Sequence, residues 1–259
     1  MAADAGAARR AAGEGLTVEP EKTPSRARIV RIASDWHLAP RTPPGEARLA
    51  AFFLRVARLE GASVILNGDV FEDLFEGAGR SERAHPEVVA EIGVLREMGR
   101  LRRTSGNHDP ASGEERIVLE WPGLGRVLVA HGDLADPVSR SWLGRLGYDI
   151  SQRYGRLAVV RGAAVFAERA ARAAAGRRIA AVFRARCLEL VRNEGCDLGV
   201  FGHVHVPHLD AADRYANAGS LKREGLEYLE LGQAGPRLCI LTLDAIAAAH
   251  GGEERALPG

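Results

Sequence analysis

The chain of 259 residues is 46% hydrophobic and 27% charged, with a formal net charge of +1. That is ordinary for a soluble globular enzyme of one domain, with or without a small subdomain. Three cysteines without Cys-x-x-Cys spacing exclude a disulfide framework and a zinc knuckle. A membrane-spanning helix needs about 20 consecutive apolar residues. No apolar segment of the sequence approaches that length, so we expect a cytoplasmic protein.

The first half of the chain predicts alternating strands and helices. Residues 1–27 lack an apolar run and predict a disordered tail rather than a secretory signal. Strands are predicted at residues 28–34 and 63–66 and before Gly106, and helices at residues 46–59 and 86–98. This alternation indicates an α/β fold, which places its ligands at strand ends.

The second half is richer in strands. A hairpin is predicted from residues 117–121 and 126–130, and short strands at residues 198–201, 215–218, 228–231 and 238–243. Together the two halves predict one domain, residues 28–245, with two mixed sheets packed face to face and helices outside. Residues 246–259 are predicted to be a flexible tail.

Residues 137–195 interrupt this pattern and predict a helical insertion. Eleven arginines lie between Arg140 and Arg186 and only Asp149 and Glu168 oppose them, a local net charge of +9 that leaves −8 for the rest of the chain. Such a charge could track nucleic-acid phosphates. However, the insertion has few aromatic residues for base stacking, so a nucleic-acid partner is not expected.

Five polar clusters each follow an apolar run and contain five of the eight histidines. They are Asp35-Trp36-His37, Gly68-Asp69, Gly106-Asn107-His108-Asp109, His131-Gly132-Asp133 and Gly202-His203-Val204-His205. Carboxylate oxygens mixed with imidazole nitrogens suit divalent transition metals. Two such ions about 3.5–4 Å apart hydrolyse phosphate esters in many enzymes. The clusters therefore predict a binuclear metallohydrolase.

The first two clusters also have a simpler interpretation. Asp35 and His37 would face the same side of a strand and reach one ion, or form a capped turn. Asp69 has two oxygens that can bridge two ions, or it caps the helix that follows. His108 would lie beside the reacting phosphate, where it stabilises charge or protonates the leaving oxygen.

The sequence says less about the roles of the other acidic and histidine residues. Glu72 and Asp73 are either supporting or solvent-facing groups. His85 and His250 are predicted to be exposed, and His208 is a possible neighbour of the site.

The order of the five clusters, over about residues 28 to 220, resembles the calcineurin-like metallophosphoesterase superfamily. The resemblance implies a four-layer α/β/β/α sandwich and His108 as a catalytic residue. It implies one metal ion held by Asp35, His37, Asp69 and His205, and a second held by Asp69, Asn107, His131 and His203. Mn²⁺ is the expected metal, with Fe²⁺, Zn²⁺ and Mg²⁺ as alternatives. A non-catalytic relative would show gaps in this ligand set, and the sequence has none.

Three segments resemble the UDP-2,3-diacylglucosamine pyrophosphohydrolase branch of that superfamily, which releases UMP in lipid A synthesis. They are residues 66–72 (LNGDVFE), 130–133 (AHGD) and 217–220 (NAGS). In that branch a helical cap over the acyl chains occupies the position of residues 137–195. The resemblance implies a lipid-linked nucleotide substrate and peripheral association with the anionic inner membrane; no obligate protein partner is inferred.

The apolar residues of the insertion could line a groove for acyl chains. Its arginines could bind the pyrophosphate of a substrate or an anionic membrane surface. The apolar candidates are Trp142, Leu143, Leu146, Ile150, Val159, Val160, Val165 and Phe166, and the arginines are Arg153, Arg156 and Arg161. The alternative is a helical pair that packs its apolar face on the core. The branch is also expected to have Arg where this chain has His108. A phosphatase, phosphodiesterase or nuclease acting on another substrate therefore remains an alternative.

Overall fold

The computed structural model describes residues 29–137, 142–154 and 157–246. The strands are β1 (Val30–Ala33), β2 (Ser63–Asn67), β3 (Leu101–Thr104), β4 (Arg116–Trp121), β5 (Gly125–Ala130), β6 (Leu198–Phe201), β7 (His208–Asp210), β8 (Tyr215–Asn217), β9 (Leu221–Lys222), β10 (Gly225–Gly232) and β11 (Gly235–Leu241). The helices are α1 (Pro44–Leu59), α2 (Asp73–Glu76), α3 (Arg80–Ala84), α4 (Pro86–Glu97), α5 (Trp142–Tyr154) and α6 (Ala158–Asn193). The two predicted helices and the hairpin are confirmed to within two residues.

The strands form two mixed sheets. The first sheet has the order β11-β10-β1-β2-β3, with β9 on β10, and its strands β1, β2 and β3 are parallel. The second sheet has the order β4-β5-β6-β8-β7, with β5, β6 and β8 parallel and an antiparallel strand at each edge. The parallel strands of each sheet direct their carboxyl ends to one edge, where their loops can meet.

The two sheets and their helices make four layers, as predicted. Ile32 and Ile65 of the first sheet pack against Val129 and Val200 of the second. On the outer face of the first sheet lie α1 and α4, with Leu49, Phe53 and Leu95 buried. On the outer face of the second lies the end of α6, with Phe183, Cys187 and Val191 buried. Each sheet is therefore covered on both faces.

In the described part of the predicted insertion there are two helices, and their surroundings differ. The last turns of α6 belong to the outer layer of the core, whereas α5 lies against the short helix α2. Leu146, Ile150 and Tyr154 of α5 follow one another at four-residue spacing and are 48%, 42% and 50% exposed. Because these positions share one side of a helix, α5 presents an apolar stripe to the surroundings.

Several sequence predictions fall outside the described residues. These are the tail at residues 1–27, most of the tail at residues 246–259, Arg156 and His250. Arg161 belongs to α6, but its side chain is not described.

The prediction that His85 is exposed is wrong. Its side chain is 5% exposed, and its Nε2 lies 2.8 Å from the carbonyl oxygen of Ala39. His85 joins α3 to α4, and this junction packs against the loop that follows β1. His85 belongs to none of the five clusters, and its contact with Ala39 is distant in sequence, so the sequence pattern contained no sign of its burial.

Arg100 fixes the end of α1 to the start of β2. Its guanidinium donates hydrogen bonds to the carbonyl oxygens of Ala57 (2.9 Å), Arg58 (3.2 Å) and Ala62 (3.1 Å). The last carbonyl groups of a helix lack intrahelical partners, and here Arg100 donates to two of them, those of Ala57 and Arg58, beside the backbone N–H groups of Ala62 and Gly61.

We expect Arg100→Ala to lower the free energy of unfolding by about 1–3 kcal/mol, because the carbonyl groups of Ala57, Arg58 and Ala62 each lose a charged hydrogen-bond donor. Denaturant unfolding monitored by circular dichroism measures the loss. Arg102→Ala, which removes an exposed pair with Glu114, is the matched control and should change stability by less than about 1 kcal/mol. Equal losses in both variants would contradict the capping role.

Candidate metal centre

All five polar clusters meet at one edge of the sandwich. Each predicted ligand follows the carboxyl end of a parallel strand, β1, β2, β3, β5 or β6. The structure brings together all seven predicted metal ligands, and His108 lies beside them. They are Asp35, His37, Asp69, Asn107, His131, His203 and His205.

The first group of ligand atoms comes from Asp35, His37 and His205. The Nε2 atoms of His37 and His205 lie 3.2 Å apart, and Asp35 Oδ1 lies 3.2 Å from His205 Nε2 and 3.9 Å from His37 Nε2. Asp69 Oδ2 is 3.7 Å from His37 Nε2. Asp35, His37 and His205 thus direct one ligand atom each toward a common point, and Asp69 adjoins this group through His37.

The second group comes from Asp69, Asn107, His131 and His203. Asp69 Oδ2 lies 3.2 Å from His131 Nε2, and Asn107 Oδ1 lies 3.3 Å from the same nitrogen. The other neighbour of Asn107 Oδ1 is His203 Nδ1, at 3.1 Å. Asp69 Oδ2 faces both groups, which is the position a bridging carboxylate requires.

These distances fit metal coordination. Metal–nitrogen bonds of about 2.0–2.1 Å place neighbouring ligand atoms about 3.0–3.4 Å apart in octahedral and tetrahedral sites. The direct contacts between ligand atoms are 3.1–3.9 Å long, and the atoms of each three-residue group all lie within 4.8 Å of one another. Mixed oxygen and imidazole donors suit divalent transition metals. The residues therefore fit two divalent cations.

The ligand loops hold an unusual backbone conformation. Five ligands, Asp35, His37, Asp69, His203 and His205, have φ between 46° and 68°. Arg214 is the other non-glycine residue with positive φ in the described part of the chain. Such conformations are costly for residues with a Cβ and persist where the surrounding structure enforces them, often at functional sites.

Asp109 holds two of these loops together. Its carboxylate is buried and accepts hydrogen bonds from the backbone N–H groups of Asp69 (2.8 Å), Val70 (2.9 Å) and Gly106 (3.1 Å). The guanidinium of Arg103 is 3.2 Å away and balances its charge. Asp109 thus fixes the position of Asp69 without facing the ligand groups.

Glu72 supports two histidines and is not solvent-facing. Its carboxylate oxygens lie 2.8 and 2.9 Å from His108 Nδ1, and Oε2 lies 3.4 Å from His37 Nδ1. Burial disfavours the charged form, but His108 and His37 outweigh it and lower the pKa of Glu72 to about 2. An ionised Glu72 therefore orients His37 toward the first ligand group.

The buried carboxylates also control the charge of the imidazoles. Burial by itself lowers the pKa of His108, but Asp69 and Glu72 raise it to about 9. In the same way, Asp69 and Asp35 raise the pKa of His131 well above its ordinary value despite burial. The centre thus attracts positive charge, which protons or metal ions can supply.

The other sequence candidates lie elsewhere or at the margin. Arg153 is on α5 and is exposed, and His208 begins β7 with its ring 5.7 Å from that of Tyr215. Asp136, which the sequence did not single out, lies 2.9 Å from His203 Nε2. Only its position three residues after Asp133 in the same loop could have suggested it.

Comparisons with known proteins found similarity only to solved structures, and that similarity is distant. No family profile and no curated protein matches the sequence. A dimetal phosphatase from Danio rerio is similar with a TM-score of 0.44 and 13% identity, over 84% of this chain and 99% of that one. A predicted phosphoesterase from Streptococcus pneumoniae has a TM-score of 0.43 and 15% identity, over 85% and 92% of the two chains.

Another similar structure is Vps29 from Entamoeba histolytica complexed with zinc. Its TM-score is 0.40 and its identity 12%, over 83% of this chain and 98% of that one. With all three TM-scores below 0.5, the likeness is too distant to assign an activity to this chain. The chemistry proposed below therefore rests on the chain's own residues.

The close packing of the ligand loops leaves no room for a side chain at Gly202. A Cβ atom at this position would overlap Ser34 Oγ and would lie 2.5 Å from Asp35 Oδ2. We expect Gly202→Ala to displace Asp35 and to weaken Mn²⁺ binding at least tenfold in a calorimetric titration, a loss of about 1.4 kcal/mol. Gly93→Ala, in α4 with nothing within 4 Å, is the control and should bind like the wild type. Unchanged affinity in Gly202→Ala would show that this packing is dispensable.

Proposed function

We propose that this protein is a dinuclear metal-dependent hydrolase of phosphoester or pyrophosphate bonds. The observation that carries the proposal is the pair of ligand groups that share Asp69, with His108 beside them. When bound, two divalent cations neutralise charge on the phosphoryl group and lower the pKa of water. Mn²⁺ is the metal we propose first, and Fe²⁺, Zn²⁺ or Mg²⁺ would fit the same donor set.

His108 supplies the proton that the leaving oxygen requires. Because Glu72 holds its Nδ1, the Nε2 nitrogen is the one left to donate to the substrate. Asp69 and Glu72 raise the pKa of His108, and Glu72, which is not one of the seven ligands, continues to favour the protonated imidazole when Asp69 binds cations. The ring packs edge-to-face on His37 at 4.6 Å, so it lies next to the first ligand group. A positioned acid of this kind contributes about 10²–10⁴ to the rate.

The substrate that we propose is UDP-2,3-diacylglucosamine, cleaved at its pyrophosphate to UMP and the acylated sugar phosphate. The support is the apolar stripe of α5, Leu146, Ile150 and Tyr154, since acyl chains need an exposed apolar surface. This helix lies against α2, and Phe75 of α2 has its ring 5.7 Å from that of His108. An acyl groove along α5 would therefore begin near His108, the proposed proton donor.

The same region suggests where the enzyme works. We propose that it is cytoplasmic and meets the anionic inner membrane through the arginines of the insertion, with Arg153, Arg156 and Arg161 as candidate phosphate contacts. Each basic residue near an anionic surface contributes about 1 kcal/mol. Among the described residues, none of the helices has both the length and the apolar character needed to cross a membrane.

A second candidate is a phosphoesterase that acts on another nucleotide or phosphoester. The presence of a histidine at position 108 favours this second candidate, because the lipid-cleaving branch is expected to have Arg there. In that case the stripe on α5 would contact a different apolar group.

We expect His108→Ala to lower kcat by about 10²–10⁴ while the metal content stays at the wild-type value. The variant removes the proton donor but none of the seven ligands. Stopped-flow kinetics and metal analysis of the same sample measure the two quantities. His208→Ala is the control and should retain activity. Loss of metal in His108→Ala would mean that this imidazole is a ligand.

The substrate is tested by hydrolysis of UDP-2,3-diacylglucosamine beside bis-p-nitrophenyl phosphate, with and without Mn²⁺. We expect Mn²⁺-dependent release of UMP, and its loss in Asp69→Asn. The double variant Leu146→Ser/Ile150→Ser should raise KM for the lipid about tenfold or more, because each apolar side chain contributes about 1–3 kcal/mol, and leave the nitrophenyl ester unaffected.

Leu59→Ser, which changes an exposed residue at the end of α1, is the control for this double variant. Cleavage of the nitrophenyl ester alone would discard the lipid substrate and keep the dinuclear hydrolase. No cleavage of either compound with Mn²⁺ or the other divalent ions would refute the hydrolase itself.

A further inference from the structure

The imidazole of His203 is contacted on several sides by residues distant in sequence. Its Nδ1 lies 3.1 Å from Asn107 Oδ1, and its Nε2 lies 2.9 Å from Asp136 Oδ2. The ring of Phe183 stacks on it at 5.9 Å with an interplanar angle of 29°, and His131 meets it edge-on at 5.3 Å. The ring therefore has one defined orientation.

The two histidines of the second ligand group present opposite nitrogens. His131 has its Nδ1 held by the backbone carbonyl of Asn67 at 3.0 Å, so its Nε2 faces Asp69. In His203 the carboxylate of Asp136 occupies Nε2, so Nδ1 is the nitrogen that faces the ligand group. The partner of the second nitrogen decides which nitrogen of a histidine is free to bind a metal.

We propose that Asp136 is a positioning residue that fixes the Nε2–H tautomer of His203 and thereby strengthens the second cation site. The proposal rests on the proposed dinuclear function and identifies Asp136 as a residue on which the second cation site of that function depends. Asp136 is 8% exposed, so its carboxylate meets Nε2 with little competition from water. A carboxylate acceptor makes an imidazole a better ligand than a neutral carbonyl acceptor does.

The location of Asp136 connects this cation site to the helical insertion. Asp136 follows a short 3-10 helix (Asp133–Ala135) and immediately precedes the insertion. Phe183, the residue stacked on His203, lies near the end of α6, and it packs with Ala135 in one buried cluster. Asp136, directly before the insertion, and Phe183, in its last helix, therefore contact the same imidazole, and α5 lies between them in sequence.

The first test measures Mn²⁺ binding to Asp136→Ala and Asp136→Asn. Calorimetry gives the affinity of each site, and the spin-coupled EPR signal reports whether a manganese pair forms. Loss of a partner of this kind weakens metal affinity about 10–100-fold. We expect that loss at one of two sites in Asp136→Ala, with the other site unchanged. Asp136→Asn, which keeps an acceptor oxygen, should fall between Asp136→Ala and the wild type.

Glu91→Gln is the control for a loss of stability alone. Glu91 is buried between Arg55 and Arg58, far from the ligand loops in sequence, and its variant should keep both cation sites. Two sites of wild-type affinity in Asp136→Ala would overturn the proposal.

The second test uses the metal-free protein. In ¹⁵N-labelled wild type, we expect His203 in its neutral form to carry the proton on Nε2, and we expect Asp136→Ala to shift it toward Nδ1. An unchanged tautomer would overturn the role of Asp136 even if metal affinity fell. A wild type that binds a single Mn²⁺ would instead refute the dinuclear function, and the metal-free spectra would still decide whether Asp136 orients His203.

Discussion

The arrangement of the site depends on the buried carboxylate of Asp69. Its Oδ2 faces both ligand groups, through His37 and His131, while its Oδ1 accepts the backbone N–H of His108 at 2.8 Å. Its own backbone is held on both sides, because its N–H donates to Asp109 and its carbonyl accepts from His37. A buried charge is tolerated only when it is paired in this way.

This constraint explains the close approach of the loops. At Gly106 a Cβ atom would overlap Asp69 Oδ1, so the loop after β3 can reach Asp69 only without a side chain there. The backbone N–H groups of Val70 and Gly106 then converge on Asp109. The strained backbone at the ligands is maintained by these hydrogen bonds and by the two packed sheets beneath.

A layer of supporting groups determines how the imidazoles face the centre. Glu72 holds His37 and His108, the carbonyl of Asn67 holds His131, and Asp136 holds His203. Asn67 also donates to the carbonyl of Ala130 at the end of β5, and it accepts from Thr104 at the end of β3. The first and second sheets are thereby joined at the site, and the packing of one affects the ligands on the other.

The sequence by itself determined the α/β class, the main strands and helices, and the seven residues that converge. These features depend on local patterns, namely apolar periodicity and polar clusters at strand ends. The tertiary structure decided the buried position of His85, the supporting roles of Glu72 and Asp136, and the contact of Phe183 with His203. Each of these depends on groups brought together from distant parts of the chain. Which nitrogen of each histidine faces the centre is decided in the same way, because it is set by a hydrogen-bond partner that folding alone supplies.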